Sequence, residues 1–176
     1  MTKLQNFTIL ISSLLVSGAA FAATQTTTMP ITASVAGTCS VSSAGADLGS
    51  VNAFGGASTS GSIEVNCSNG ISYQVGLGAG LQPQESSSVR SMQSGGGDNI
   101  RYAITKGAGT GDPGSLWGDQ GLGNGSGNTI PGTVVNGFGT GAAQILGMTV
   151  GIVSEGINTY TAGANYSDTV TITVNF

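Results

Sequence analysis

The chain has 176 residues, of which only 7% are charged, with 31 glycines, no histidine and a formal net charge of -4. Four basic residues are too few to build a patch for nucleic acid or an anionic membrane surface, and the lack of histidine excludes a Ser-His-Asp or Cys-His catalytic site. Abundant Gly, Ser, Thr and Asn disfavour helices and suit strands joined by turns.

Residues 1–22 carry the marks of a secretory signal. Lys3 supplies a positive start, the apolar run at 7–16 is too short to span a bilayer, and Ala20-Phe21-Ala22 offers a small-x-small cleavage box that leaves Ala23 as the new N-terminus. No later segment is long and apolar enough to be transmembrane. The remainder fits one domain and is long enough to bury a core.

In residues 24–36, Thr27, Met29, Ile31, Ala33 and Val35 alternate with Thr28, Pro30, Thr32 and Ser34. This is the period of a strand with one apolar face. Pro30 lacks an N–H, so the strand fits a ladder only if that position points away from its partner. By itself this stretch also reads as the first strand of the domain's own sheet.

Cys39 and Cys67 are the only cysteines. In an exported chain the default is one disulfide. Cys67 shares a face with Ile63 and Val65, so its sulfur points to the core and Cys39 is expected on an adjacent strand. A bridge of this span is worth roughly 3–4 kcal/mol by chain entropy. With no histidine, no CxxC and no activating base nearby, a reactive or metal-binding pair has little to support it.

Ile71, Tyr73, Val75 and Leu77 alternate after a Ser68-Asn69-Gly70 turn, and with residues 62–67 they predict a hairpin. Further strands are expected at 89–92, 100–105, 129–135 and 145–153, the last with Leu146, Met148, Val150 and Ile152 facing inward. Residues 106–128 read as glycine-rich loop around Trp117. A lone tryptophan among short strands is core more often than a sugar platform.

The last stretch, 165–176, alternates most strictly. Val170, Ile172, Val174 and Phe176 fall on one side, and Thr169, Thr171, Thr173 and Asn175 on the other. The sequence stops on an apolar residue, with no later segment to cover this strand's edge. A bare apolar edge is a hazard, so another molecule is expected to cover it. Seven or eight short strands with turn signals between them predict a β-sandwich.

No chemistry emerges from the rest. The eight carboxylates are scattered, with no visible glycosidase pair. The runs GAGTG (107–111) and GLGNGSG (121–127) lack the context and the Lys-Ser/Thr of a phosphate loop. The spacing of Asp112 and Asp119 is not that of a calcium loop. No enzymatic activity, cofactor or metal is expected.

ITASVAGTCSV, VNCSNGISYQVGL, IRYAIT, LWGDQG and AGANYSDTVTITVNF, spread over almost the whole mature chain, resemble the spore coat protein U-like pilins of archaic (Csu-type) chaperone–usher pili. The last motif is the most specific, with Gly163 fourteen positions from the end and an alternating strand after it. Asn175 stands where other pilin classes often carry tyrosine, and TVGIV where the archaic family usually shows a YGR-like stretch.

The resemblance implies an all-β, immunoglobulin-like sandwich over residues 37–176 that lacks its final strand and is completed by donor-strand complementation. Residues 23–36 would be the donor strand, inserting Met29, Ile31, Ala33 and Val35, with Thr27 at the edge, into a neighbouring copy. Val170, Ile172, Val174 and Phe176 would line the acceptor groove, with Gly163 in the chaperone-recognition motif. The implied partners are other copies in a head-to-tail filament, a periplasmic chaperone, an outer-membrane usher and a tip adhesin. The implied place is a cell-surface pilus serving adhesion and biofilm formation. The alternatives are a self-contained secreted sandwich that binds glycans or surfaces, through Trp117 and the glycine loops, and a coat protein of the same fold that forms no pili.

Overall fold

Strands that hide one apolar face need a second layer to hide it against, and the chain supplies two sheets. A computed structural model of the chain describes residues 23–51, 56–81, 89–123, 130–153 and 160–176. The signal segment lies outside the described residues. The chain divides into two units, Met1–Ser34 and Val35–Phe176. In the first, residues 23–34 adopt no strand and are exposed throughout.

The second unit carries ten strands among its described residues: β1 Cys39–Ser43, β2 Ser58–Cys67, β3 Ser72–Leu77, β4 Arg90–Ser94, β5 Asn99–Lys106, β6 Trp117–Gln120, β7 Val135–Phe138, β8 Ala143–Ile152, β9 Tyr166–Ser167 and β10 Ile172–Asn175. A six-stranded sheet runs β1-β2-β8-β5-β4-β9, a three-stranded sheet runs β10-β3-β7, and every pairing is antiparallel. The described residues contain no helix.

Period-two alternation builds the core. Ile63, Val65 and Cys67 of β2, Leu146, Met148 and Val150 of β8, and Ile100, Tyr102 and Ile104 of β5 project from the larger sheet. Tyr73, Val75 and Leu77 of β3 and Val135 of β7 meet them from the smaller. Trp117 is fully buried, and its indole N–H donates to the Val75 carbonyl (3.0 Å). It is therefore core, and its ring is not free to stack on a sugar.

Three expectations are corrected. Residues 62–67 and 71–77 do not form a hairpin: β2 pairs with β1 and β8, whereas β3 pairs with β10 and β7. The Ser68-Asn69-Gly70 turn carries the chain from one sheet to the other. Second, 165–176 is not one strand. Its first part is β9, paired with β4 in the larger sheet, and its second is β10, paired with β3 in the smaller. Third, position 129 of the strand expected at 129–135 lies outside the described residues, and over 130–135 the strand β7 begins only at Val135. Ahead of it, Ile130 and Val134 are buried in a segment that lies against β6. A Cβ at Gly118 would stand 2.5 Å from the Gly132 carbonyl oxygen, so this approach of two backbones requires glycine.

Candidate functional site: an open apolar groove

A cavity of about 1000 Å³ opens between the two sheets. Its floor is apolar: Ile63, Met92, Ile100, Ile104, Met148 and Val150. One wall is the segment 43–51 that continues from β1, and the other runs from Tyr160 to Ile172. Segment 44–51 carries no strand. Gly45 and Gly49 have left-handed φ of 76° and 62°, and the Gly49 N–H donates to the Asp47 carboxylate (2.8 Å), so the wall bends locally at these two glycines.

One edge of the opening is β10. In the sheet order this strand has β3 on one side and no ladder partner among the described residues on the other. Its hydrogen-bond phase is readable. The Gly78 N–H donates to the Thr171 carbonyl (2.9 Å), and the pairing continues as Ile172↔Leu77, Thr173↔Gly76, Val174↔Val75 and Asn175↔Gln74. In an antiparallel ladder, bonded and non-bonded pairs alternate. Thr171, Thr173 and Asn175 therefore aim their backbone groups at β3. Ile172 and Val174, which sit opposite buried Leu77 and Val75 on the core face, aim theirs at the open edge.

Val41 in β1, outside the cavity lining, is also left uncovered on the inward face of the larger sheet. It pairs with Val65 and so faces inward with it, yet Val65 is 0% exposed and Val41 is 39% exposed. An inward valine left in water marks a place where the second layer is missing.

Where β9 gives way to β10, polar groups hold the sheets together. The Asp168 carboxylate accepts the Tyr102 hydroxyl of β5 (2.5 Å), the Leu81 N–H just beyond β3 (2.8 Å) and the Thr169 N–H (2.7 Å). Burial pushes the Tyr102 phenol well above its ordinary range, and its hydrogen bond to Asp168 and that residue's charge push it further. Nearby, the fully buried Arg90 of β4 donates to the carbonyls of Leu77 (2.9 Å), Gly78 (2.8 Å) and Trp117 (3.0 Å). Burial lowers its guanidinium from the usual value, while Tyr102, Asp119 and Asp168 oppose that shift. Hydrogen-bonded charges of this kind fix geometry more than they add stability.

The sequence-predicted residues divide among several places. Cys39 and Cys67 face each other across β1 and β2 and are bonded (2.00 Å). Val170 and Ile172 line the groove, and so does Gly163, whose φ of 82° places it in a tight turn ahead of β9. Val174 is half-buried against the core but outside the cavity lining, and Phe176 is 59% exposed. Thr27, Met29, Ile31, Ala33 and Val35 are all exposed, Ile31 by 85%. Among the described residues no three His, Cys, Asp or Glu gather in a way that could hold a metal ion.

Sequence reasoning missed Val41, the wall at 43–51, and the Tyr102–Asp168–Arg90 group. The Cys39-x-Val41 alternation was a usable signal. Asp168 gave none, because an aspartate between two short strands reads as an ordinary turn residue.

The model of the Spore Coat Protein U domain family matches residues 25–173. A chain in the crystal structure of the chaperone–tip adhesion subunit pre-assembly complex from archaic chaperone–usher Csu pili of Acinetobacter baumannii is similar, at 25% identity and a TM-score of 0.54. The match covers 81% of the present chain and 40% of that one, so the present chain spans less than half of its length. No curated protein sequence matches.

Proposed function

The chain belongs to the Spore Coat Protein U domain family, and on that premise we propose that it is a structural subunit of a chaperone–usher pilus, without catalytic activity. The subunit is exported through the periplasm and held there by a chaperone. An outer-membrane usher then joins it to other copies in a fibre on the cell surface, where the fibre serves adhesion and biofilm formation. Joining is by strand addition: residues 23–36 of one copy enter the groove of the next, main-chain hydrogen bonds to β10 give affinity, and Met29, Ile31, Ala33 and Val35 fill the apolar floor. Because each copy has one groove and one donor, the contact is heterologous and the product is an open filament.

The observation that carries this reading is the groove itself. It pairs an apolar floor with a strand edge whose inward residues aim their backbone groups away from β3, on the side where β10 has no ladder partner among the described residues. Residues 23–34 support it from the other side, being apolar at alternate positions and exposed.

The test is Ile31→Asp. A charge buried in an apolar groove is costly enough to abolish joining. Fibre subunits detected at the cell surface should vanish, while the complex of the subunit with its periplasmic chaperone persists at the wild-type level, since the donor segment has no part in it. Equal loss of both would sink the reading.

A further inference from the structure

Resting on this strand-donation reading, we propose that Pro30 is a specificity-determining residue for joining: its missing N–H dictates which edge of the donor faces β10, and so the direction in which the donor seats.

Two features of the groove and one of the donor carry the inference. In β10, Ile172 and Val174 face the core, and their backbone N–H and C=O point to the open edge. The donor must likewise put Met29, Ile31, Ala33 and Val35 toward the core, because these are its apolar positions. Pro30 lies in the intervening set with Thr28, Thr32 and Ser34, and has no donor to give.

The ladder geometry then separates two seatings. In an antiparallel pair, residues that sit opposite each other share a face and aim their backbone groups either both inward to the pair or both away. Ile172 and Val174 aim theirs at the newcomer. An antiparallel donor therefore bonds β10 through its core-facing residues, 29, 31, 33 and 35, and Pro30 points away from β10. In a parallel pair, each residue that bonds to its neighbour faces one that does not, and is bonded by the two residues flanking it. A parallel donor would thus bond β10 through 28, 30, 32 and 34, and Pro30 would leave β10 an acceptor without a partner. The far wall begins at Ser43, the end of edge strand β1, and continues as segment 44–51, which carries no strand, so only its β1 end offers a ladder to interrupt. Proline is tolerated on that side and penalised on the β10 side. Pro30 thereby admits the antiparallel seating and obstructs the parallel one without altering any side chain that enters the groove.

The experiment uses the full subunit purified in complex with its periplasmic chaperone. Synthetic peptides of residues 23–36 are added, and replacement of the chaperone by peptide is followed over time. Backbone N-methylation removes one N–H at a time and leaves the side chains intact. N-methylation at Ile31 or Ala33 is expected to slow or weaken peptide entry by about tenfold or more, the effect of a lost ladder bond. At Thr32 or Ser34 the expected change is under about threefold. Replacing Pro30 with alanine should permit the second seating, detected by a spin label at position 24 appearing at both ends of the groove. Equal effects at odd and even positions, or the reverse phase, would overturn the assignment to Pro30. Failure of the unmodified peptide to enter would instead overturn strand donation itself, and the inference with it.

Discussion

The sandwich is closed on one side and open on the other. Toward β6 and β7, Trp117 is fully buried with its N–H bonded to β3, Val135 is sealed beside it, and Arg90 ties three carbonyls together. Toward β1 and β10, the interior is a cavity, Val41 faces inward and is still wet, and the edge of β10 has no ladder partner among the described residues. The same alternation of apolar residues produces both sides. What differs is the number of strands available to cover them. The closed side is where the subunit obtains its own stability; under the strand-donation proposal, the open side is where it would obtain a neighbour.

Damage on the two sides should accordingly have different consequences. The largest effect on the subunit itself is expected from Trp117→Ala. Emptying a fully buried indole site costs about 3–5 kcal/mol. The chain should then fail to accumulate in the periplasm even with the chaperone present, which immunoblotting of periplasmic extracts would reveal. Ile31→Asp, equally disruptive to the fibre, should leave that pool untouched. If both substitutions emptied the periplasm, the two sides would not be separable.

Next in size is Cys39→Ser. The bridge joins β1 to β2, and losing it should cost about 2–4 kcal/mol. Because β1 also leads into the groove wall at 43–51, the variant should melt at a lower temperature and exchange its chaperone less selectively. Thermal melting of the reduced and oxidised wild type, compared with the variant, checks this. Identical curves would mean that the bridge does not hold the wall.

How far the two sides could be read from sequence differs as well. The alternating sets at 63–67, 71–77, 100–104 and 146–152 were legible because each hides one face, and the structure buries nearly all of them. Periodicity reports which face is inward and is silent on which sheet supplies it. That is why the turn at 68–70 read as a hairpin when it carries the chain between sheets, and why 165–176 read as one strand. The apolar edge of the terminal strand was legible from Ile172 and Val174. Its limit at Asp168 was not, since the signal there is a three-way hydrogen bond to Tyr102, Leu81 and Thr169, groups distant in sequence or carried by the backbone. Segment 44–51 forms a wall without any strand and so left no periodic trace. Val135 was legible as strand, but the five residues before it, 130–134, were not legible as packed loop, because that depends on Gly118 and Gly132 meeting.

A third test concerns the junction between the sides. Tyr102→Phe removes the hydroxyl that Asp168 accepts and should cost about 1–2 kcal/mol. It also carries a pH signature. The folded chain holds the Tyr102 phenol protonated well above its ordinary value, whereas the unfolded chain releases the proton near pH ~10. The stabilising contribution is therefore complete below about pH 10 and declines as pH rises beyond it, by at most about 1.4 kcal/mol per pH unit. Denaturant unfolding between pH 8 and 12 should show this decline in the wild type and a shallower one in Tyr102→Phe. Parallel curves would place the alkaline loss elsewhere.

The smallest expected effect, that of Val41→Ser, gives the sharpest comparison, because its reference lies within the same pair of residues. Val41 and Val65 sit opposite each other in the β1–β2 ladder and face the same way. Val65→Ser puts an unpartnered hydroxyl into a site with no exposure and should cost about 2–3 kcal/mol. Val41→Ser, at 39% exposure, leaves its hydroxyl within reach of water and should cost well under about 1 kcal/mol in the lone subunit. If a neighbour's strand covers the groove, the asymmetry must shrink on assembly, since Val41 then becomes interior. Fibres of Val41→Ser should dissociate at lower denaturant than wild-type fibres, although the subunits from which they are built are almost equally stable. A Val41 variant neutral in both states would mean that the strand occupying the groove never reaches β1, and the missing layer would have to be supplied by β10's side alone.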